Sequence, residues 1–384
     1  MKKILTYALC GALAAGMMAG CEKKGDEPVV KSEKEQALQK VAEPYVKNTV
    51  IATYGKMDDE GIVLLEKVQQ MQEAVEAGTD YAVVMKEAGE AWRRMRMYWE
   101  QSEAFLFGPA EKHNIDPHID SWPLDYNEMN ALLQDEKRMQ RIEEEGGSYV
   151  GDKLGYALKG FHAAEYLLFQ EGQPHKTDLT KAQAVYLVGI VEDLVQQAIL
   201  LEDCWAGGVS KAKEALTTDE EGESMSYSEN YGDYFINANH PDWKTYQAVA
   251  EQIISGCVDI AGEVADLKMG NPYRGSSNGG DSEYLESPYS RTSTIDFADN
   301  IRSIRNAYCG ARQGDASISD YVKSKDGSLD EKVRKTIDES IELIGKIDNF
   351  ETTAMNNPAV KAAIEKVSEL EGILDDEVME ILAK

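Results

Sequence analysis

Apolar residues recur every three or four positions along most of this 384-residue chain, which is the period of an α-helix with one buried face. Alternating patterns typical of strands are sparse. The period predicts helices over residues 32–56, 58–77, 80–107, 125–145, 152–170, 178–215, 241–269, 292–309, 328–350 and 357–383. Four helices in each half fit up-down bundles. The chain is therefore predicted to be all-α, with two four-helix-bundle-like domains and a cleft between them.

Two stretches, 218–240 and 270–290, are rich in loop-forming residues, and the second is predicted to be an insertion inside the C-terminal half. The first predicts a domain boundary, with an N-terminal bundle over 35–225 and a C-terminal bundle over 226–384. Each half has a long helix that stops at a proline, then a loop, a short polar helix and a further long helix. This shared pattern suggests a duplication, without detectable sequence identity between the halves.

The N-terminus has the organisation of a secretory signal. Lys2 and Lys3 precede an apolar run, which ends in Met18-Ala19-Gly20-Cys21. Small residues before a cysteine resemble a lipoprotein box, so residues 1–20 are predicted to be a lipoprotein signal peptide, with Cys21 as the lipidation site and 21–34 as a flexible tether. We expect a lipid-anchored protein of the cell envelope, at the outer membrane, that meets the membrane only through its anchor.

The chain is strongly acidic, with a formal net charge of −29 at pH 7. Such a charge disfavours nucleic acid and anionic membranes as partners and favours cations. The acidic residues are spread over many helices, so they are weak evidence for any one metal site. Three cysteines remain beyond the signal and the lipidation site: Cys204, Cys257 and Cys309. Their pairing stays open, and an odd number leaves at least one thiol free.

His162 and Glu165 are the most informative polar pair of the chain. They are three residues apart and therefore neighbours on one face of the helix predicted over 152–170. The apolar stripe of that helix runs through Leu154, Leu158, Phe161, Glu165 and Leu168. Ionisable groups at the edge of such a stripe are costly unless they are paired or bind something. The pair is either a hydrogen-bonded His–Glu pair in a helix core or part of a ligand site.

A second polar group lies on the helix predicted over 80–107, where Arg96, Glu100 and Glu103 share one face. An antiparallel arrangement would bring Glu103 toward His162. Carboxylates and an imidazole that converge from facing bundle helices can hold hard or borderline cations. The predicted metal ligands are His162, Glu165, Glu103 and Glu100. The alternative, favoured for Glu100, is that Arg93 and Arg96 neutralise these glutamates in surface ion pairs.

Four segments in order resemble the imelysin family. They are Trp92 to Gly108, the Trp-Pro element in Asp120 to Asp125, the Gly-x-His-x-x-Glu signature in Gly160 to Glu165, and Pro288 to Asn300. The match covers roughly residues 35–384. The resemblance implies two helical-bundle domains, an envelope location and a link to iron acquisition. It also implies iron or another divalent cation as ligand, and an outer-membrane uptake system as partner.

The same resemblance implies a ligand cleft around the His–Glu pair. The residues predicted to line it are Trp122, Asp120, Arg96, Gly160, Tyr289, Ser293, Asp296 and Asn300. Ser293, Asp296 and Asn300 share one helical face, which either meets the His162 face or only caps its own helix.

Three functions stay open: a binding protein for iron, haem or another metal-bearing ligand, a metal-dependent peptidase, and a non-catalytic adaptor whose cleft binds another protein. The imelysin family was named for a metallopeptidase activity. The chain has no His-Glu-x-x-His motif, which disfavours a zinc peptidase of that kind.

Overall fold

The computed structural model describes residues 31–175, 177–218, 222 and 224–384, and the fold in this part of the chain is all-α, as predicted. A two-stranded antiparallel hairpin, Phe169–Gln170 (β1) with Gln173–Pro174 (β2), interrupts the helices. The predicted signal peptide and the lipidation site Cys21 lie outside the described residues.

The helices of the first half surround one apolar element, α9. In chain order they are α1 (Glu33–Pro44), α2 (Ala52–Ala77), α3 (Ala82–Glu100), α4 (Pro109–Lys112), α5 (Ile115–Ile119), α6 (Tyr126–Gln134), α7 (Glu136–Lys153), α8 (Gly160–Leu168), α9 (Lys181–Ala206) and α10 (Lys211–Glu214). Helices α2, α7 and α8 pack on α9, and α3 packs on α2. Among the described residues α9 is the helix long and apolar enough to cross a membrane, but 89% of its apolar window is buried in the protein.

The second half continues the helical series. Its helices are α11 (Tyr231–Asn237), α12 (Tyr246–Gly262), α13 (Gly270–Arg274), α14 (Ser293–Cys309), α15 (Ile318–Lys325), α16 (Gly327–Ile344), α17 (Phe350–Thr353), α18 (Pro358–Gly372) and α19 (Met379–Ala383). Helices α12, α14, α16 and α18 pack on one another. The first half reaches into this group, because α1 packs on α12 and α3 packs on α14. The division into domains at 225/226 and the duplication stay predictions.

Several predicted helix ends are wrong. The predicted break near residue 57 is absent, because this position lies inside α2. A π-helical turn, Tyr45–Ile51, joins α2 to α1. Helix α3 ends at Glu100, where the Ser102 hydroxyl donates a hydrogen bond to the Trp99 carbonyl oxygen at 2.6 Å and competes with the helical ladder. Glu103 follows in a short 3₁₀ turn, Glu103–Phe105, so it does not share the α-helical face of Glu100 as predicted.

The helix predicted over 152–170 begins only at Gly160, because this residue has φ +74° and cannot continue a helix from its N-terminal side. Leu154 and Leu158 therefore do not belong to the same helical stripe as Phe161 and Glu165. The predicted helix over 178–215 ends at Ala206, where Gly207 caps it with φ 70°. Cys204, Cys257 and Cys309 are all free thiols.

Candidate functional site

The close approach of two short helices creates the site. Gly160 starts α8 so near to the end of α5 that a Cβ atom at this position would lie 2.1 Å from the carbonyl oxygen of Ile119. Only a glycine permits this contact, and it also permits the positive φ. The next residue after Ile119 is Asp120, so the approach brings its carboxylate against the side chain of His162.

His162 lies between two carboxylates and is 2% exposed. Its Nε2 is 3.0 Å from Oδ1 of Asp120, and its Nδ1 is 3.6 Å from Oε2 of Glu165. Neither ring nitrogen is aligned for a hydrogen bond among the described residues. Burial lowers the pKa of His162, but the two carboxylates outweigh it and raise this pKa to about 9. In the unliganded protein the ring is therefore an imidazolium at neutral pH.

Glu165 is held from one side only. Its Oε1 accepts hydrogen bonds from the backbone N–H groups of Tyr289 (3.1 Å) and Ser290 (2.8 Å), and from the Ser290 hydroxyl (2.7 Å). Its Oε2 is buried and accepts no hydrogen bond in the described part of the protein. The carboxylate thus has a fixed orientation and one unsatisfied oxygen, which faces Nδ1 of His162.

Both residues line a cavity of about 360 Å³. Its other walls are formed by aromatic, acidic and aliphatic residues: Trp122, Pro123, Leu124, Tyr126, Asp281, Glu283, Tyr284, Leu285, Glu286, Pro288 and Tyr289. The phenol oxygens of Tyr126 and Tyr289 contact each other. The cavity therefore combines an imidazole, several carboxylates and phenol oxygens, which are groups that recognise cations.

Three carboxylates surround a guanidinium next to the cavity, and one of them, Glu286, also lines its wall. Nη2 of Arg96 lies 2.6 Å from Oε1 of Glu100 and 3.0 Å from Oε1 of Glu286, and its Nη1 contacts Oδ1 of Asp120. Oxygens of the three acids lie within 4.8 Å of one another, a spacing that could hold a metal ion. In this structure the Arg96 guanidinium already provides the positive charge there. Glu100 is therefore paired with arginine, as the alternative interpretation of the sequence had it, but in the interior rather than on the surface.

Asp120 connects this group to His162. Its Oδ2 accepts a hydrogen bond from Nε1 of Trp99 at 2.7 Å. Burial alone would raise the pKa of Asp120, but the charges of Arg96 and His162 hold this pKa well below its usual range. Asp120 is therefore a permanent carboxylate that orients the imidazole.

The ammonium group of Lys268 lies among three acids and offsets part of their negative charge. Its Nζ is 2.8 Å from Oε1 of Glu286, 3.5 Å from Oε1 of Glu103 and 3.8 Å from Oε2 of Glu100. Burial raises the pKa of Glu286 to about 7 despite the opposing charge of Lys268. The structure therefore places Glu103 against Lys268, and the residue that contacts His162 is Asp120.

The predicted C-terminal residues lie one layer behind the cavity. Oδ2 of Asp296 accepts hydrogen bonds from the hydroxyls of Ser287 (2.6 Å) and Thr292 (3.1 Å), and Thr292 contacts Ser290 in turn. Oγ of Ser293 accepts from the Ser287 backbone at 3.3 Å. These residues fix the segment that holds Glu165, but they do not line the cavity.

Asn300 also lies behind the cavity. Its amide donates to Oε2 of Glu100 at 2.6 Å, which ties α14 to the end of α3. Of the predicted cleft residues, Trp122 and Tyr289 do line the cavity with the His–Glu pair.

Sequence reasoning missed Glu286, Lys268 and Tyr126. Glu286 lies in the loop-rich stretch 270–290, where no period distinguishes buried from exposed positions. Lys268 could have been found, because it follows Val264 and Ala265 on the apolar face of the helix predicted over 241–269, and it is itself 2% exposed.

One protein family matches most of the chain. The family model described as Imelysin matches residues 51–376, most of the chain, including every residue of the site. The chain belongs to the imelysin family. The Gly-x-His-x-x-Glu signature of this imelysin protein is thus the segment that brings His162 and Glu165 to the cavity wall.

Relatives of this imelysin protein come from several bacteria. It is 28% identical over 293 residues to "Iron-regulated protein A" of Synechococcus elongatus, a match that covers 76% of this chain and 67% of the relative. A crystal structure from Parabacteroides distasonis, described as an iron-regulated protein A precursor, superposes with a TM-score of 0.75 at 24% identity and covers 92% of this chain and 97% of that one. An imelysin-like protein from Psychrobacter arcticum superposes with a TM-score of 0.67 at 10% identity, over 91% of this chain and 96% of that one. The two structures show a common fold.

Proposed function

We propose that this protein binds a metal cation between Nδ1 of His162 and Oε2 of Glu165, in the cavity that these residues line. The observation that carries the proposal is the pair of buried, unsatisfied ligand atoms 3.6 Å apart. An ion that is about 2.0–2.2 Å from an imidazole nitrogen and a carboxylate oxygen fits between atoms at this separation.

The groups that contact the outer atoms of His162 and Glu165 support a metal site between these two residues. A metal-bound histidine usually directs its other nitrogen to a carboxylate, and a ligating carboxylate is itself hydrogen-bonded. Here Nε2 of His162 faces Asp120, and Oε1 of Glu165 accepts three hydrogen bonds. Oε1 of Glu165 therefore has its outer contacts made, and Nε2 of His162 lies next to a carboxylate. The facing atoms, Nδ1 and Oε2, make no hydrogen bond among the described residues, and a metal ion would displace the Nδ1 proton of the imidazolium.

The charge around the cavity also favours a cation. Six buried carboxyl groups belong to the network: Glu100, Glu103, Asp120, Glu165, Glu286 and Asp296. Two buried side chains of permanent positive charge, Arg96 and Lys268, contact them. The acids outnumber these two cations, so part of the network is protonated in the absence of metal: burial raises the pKa values of Glu103 and Asp296, and two carboxylates raise the pKa of His162 despite its burial. A bound metal ion would take the place of part of this positive charge.

Iron is the metal that we propose. Imidazole and carboxylate ligands together suit iron, zinc and manganese alike. The reason to choose iron is the relative from Synechococcus elongatus, whose name describes a protein regulated by iron. The two protein ligands leave further coordination positions open toward the cavity, where water or an iron-bearing small molecule would complete the site.

The cellular setting of the proposal is the envelope. Acylation at Cys21 would hold the protein at the outer membrane, where it would pass iron to or from an uptake system. A peptidase is the weaker alternative, since His162 is the imidazole that lines the cavity and a peptidase site of the zinc type needs three protein ligands and a general base. A protein-binding adaptor would leave the two ligand atoms without a role.

Titration of the purified protein with Fe²⁺ under anaerobic conditions, and with Zn²⁺ for comparison, tests the proposal. Outer-shell changes cost about 10–100-fold in metal affinity, so the direct-ligand changes His162→Gln and Glu165→Gln should cost roughly 100-fold or more. The matched control is Glu73→Gln, at an exposed position of α2. Wild-type affinity in Glu165→Gln, or no iron binding by the wild type, would overturn the proposal.

A further inference from the structure

A second group of metal-ligating side chains lies outside the cavity. It consists of His113, Cys204 and Glu229, and one ligand atom of each lies within 4.8 Å of the others. His113 follows α4, Cys204 is in the last turn of α9, and Glu229 precedes α11. Three separate segments of the chain therefore bring a thiol, an imidazole and a carboxylate to one point.

The three side chains are oriented toward one another. Cys204 is fully buried, and its thiol is free of any disulfide. Nε2 of His113 is 3.4 Å from Oε2 of Glu229, and these two side chains are 13% and 16% exposed. The site is thus closed on the thiol side and open to solvent on the other, so an ion can enter it.

Neighbouring contacts hold the imidazole and the carboxylate in place. The His113 ring stacks on Tyr227, with ring centres 3.5 Å apart and an angle of 7° between the planes. The loop that carries Glu229 is attached to α9 by a hydrogen bond of 2.6 Å from the Ser226 hydroxyl to Asp203. On its other side, Asn230 caps α11. The positions of these ligands are therefore set before any ion binds.

We propose that His113, Cys204 and Glu229 form a binding site for a zinc-class divalent cation. One sulfur, one nitrogen and one oxygen ligand are the donor types that zinc takes in proteins. Burial and the nearby acids raise the pKa of the Cys204 thiol to about 12, so a bound metal ion would displace its proton. The sulfur ligand also distinguishes this site from the cavity at His162, because sulfur ligands favour zinc over hard cations. Three protein ligands leave a fourth, solvent-facing position for water.

Lys112 provides an internal check on this inference. Its Nζ contacts Oε1 of Glu229, and its side chain is 58% exposed. If the group were only a surface ion-pair cluster, Lys112 would be one of its members and no metal would bind. At a metal site the lysine competes with the ion for Glu229, so Lys112→Gln should raise the affinity for the metal.

Titration of the full-length protein with Co²⁺, in the presence of a non-thiol reductant, tests the site directly. Cobalt replaces zinc, and a thiolate-to-cobalt charge-transfer band in the near ultraviolet reports a sulfur ligand. We expect this band with one equivalent of Co²⁺, its loss on addition of Zn²⁺, and its absence in Cys204→Ser. His113→Ala and Glu229→Gln should weaken Co²⁺ binding by about tenfold or more.

The controls separate this site from the cavity. Cys309→Ser and His162→Gln should keep the band, since neither residue belongs to the group. Because Cys204 is buried, loss of the band in Cys204→Ser counts only if this variant keeps an unchanged helical spectrum. If the variant does not fold, the Co²⁺ affinities of His113→Ala and Glu229→Gln decide whether the site exists. No band in the wild type at saturating Co²⁺, a band retained in folded Cys204→Ser, or wild-type affinity in both His113→Ala and Glu229→Gln would overturn the proposal.

Discussion

At the scale of single residues, Gly160 does more than permit a turn. Its positive φ begins α8 where the helical period alone would continue a longer helix, and its missing side chain lets the Ile119 carbonyl approach. The contact between Asp120 and His162 depends on this approach. The contact of His162 with Asp120 thus explains why a glycine stands two residues before the histidine in the signature.

Gly160→Ala should therefore destabilise the protein strongly. Strained backbone costs roughly 1–3 kcal/mol at such a position, and the contact with a backbone oxygen adds to it, so we expect a loss of about 3 kcal/mol or more in the free energy of unfolding. Gly155→Ala is the matched control, because that glycine has φ −67° and open space at its Cβ position. Urea unfolding curves measure both variants, and equal stabilities would contradict the geometric role of Gly160.

His162 predicts a pH dependence of the metal-free protein. Asp120 and Glu165 raise its pKa to about 9, against the effects of burial and Arg96, whereas the unfolded chain has a value near 6.5. A pKa raised on folding gives stabilisation that is complete below pH 6.5 and is lost as the pH rises to 9. The expected loss is about 3 kcal/mol relative to His162→Gln over this window. A stability difference between the two proteins that is the same at pH 6 and pH 9 would show that the ring is not charged.

At the scale of elements, periodicity predicted the existence of the long helices well and their ends poorly. Helix α14 begins within one residue of the prediction, because its apolar face is regular and Ser and Thr residues precede it. The ends of α3 and α8 were missed, since a serine hydroxyl and a glycine torsion decide them locally. Those two ends are also the ones that determine which acid reaches His162, so the sequence favoured Glu103 where the structure has Asp120.

The loop-rich stretch 270–290 shows a second limit of sequence reasoning. It contributes Glu286 to the interior. Its last two residues, Tyr289 and Ser290, contribute the backbone N–H groups that hold Glu165. Such a segment has no apolar period, so its buried positions depend on tertiary contacts alone. The resemblance to the family did indicate Tyr289, which lies in the matched element.

Lys268 joins this stretch to α3, and Lys268→Met tests how much the buried ion pairs depend on it. Removal of one partner of a buried charge pair typically costs about 3–5 kcal/mol, because the other charge is left uncompensated. Lys244→Met, at an exposed position, should change the unfolding free energy by no more than about 0.5 kcal/mol. Thermal and urea unfolding compare the two, and a near-neutral Lys268→Met would mean that Glu286 and Glu103 are already protonated.

At the scale of the whole molecule, the site lies where the two halves of the chain meet. His162 and Arg96 come from the first half, and Lys268, Glu286 and Ser290 come from the second. An all-α chain with this composition could be predicted from its pattern, but the interdigitation of the halves could not, because helix packing is not encoded in a period. The site therefore depends on both predicted bundles at once.

The predicted lipid anchor at Cys21 would place the whole molecule at the cell envelope. Cys21→Ala should leave the protein without its lipid, because the thiol is the acyl acceptor. The variant should then leave the membrane fraction during an alkaline wash, while the wild type stays in it. A variant that still partitions with membranes would contradict the lipoprotein interpretation.

The most direct test of the account is a crystal structure of the protein loaded with Fe²⁺, with anomalous scattering recorded at the iron edge. We predict an anomalous peak in the cavity about 2.0–2.2 Å from Nδ1 of His162 and from Oε2 of Glu165. Asp120 should keep its contact with Nε2, and Arg96 should stay among its three carboxylates. An iron-loaded crystal with no peak between His162 and Glu165, or with iron in place of the Arg96 guanidinium, would contradict an iron site formed by His162 and Glu165.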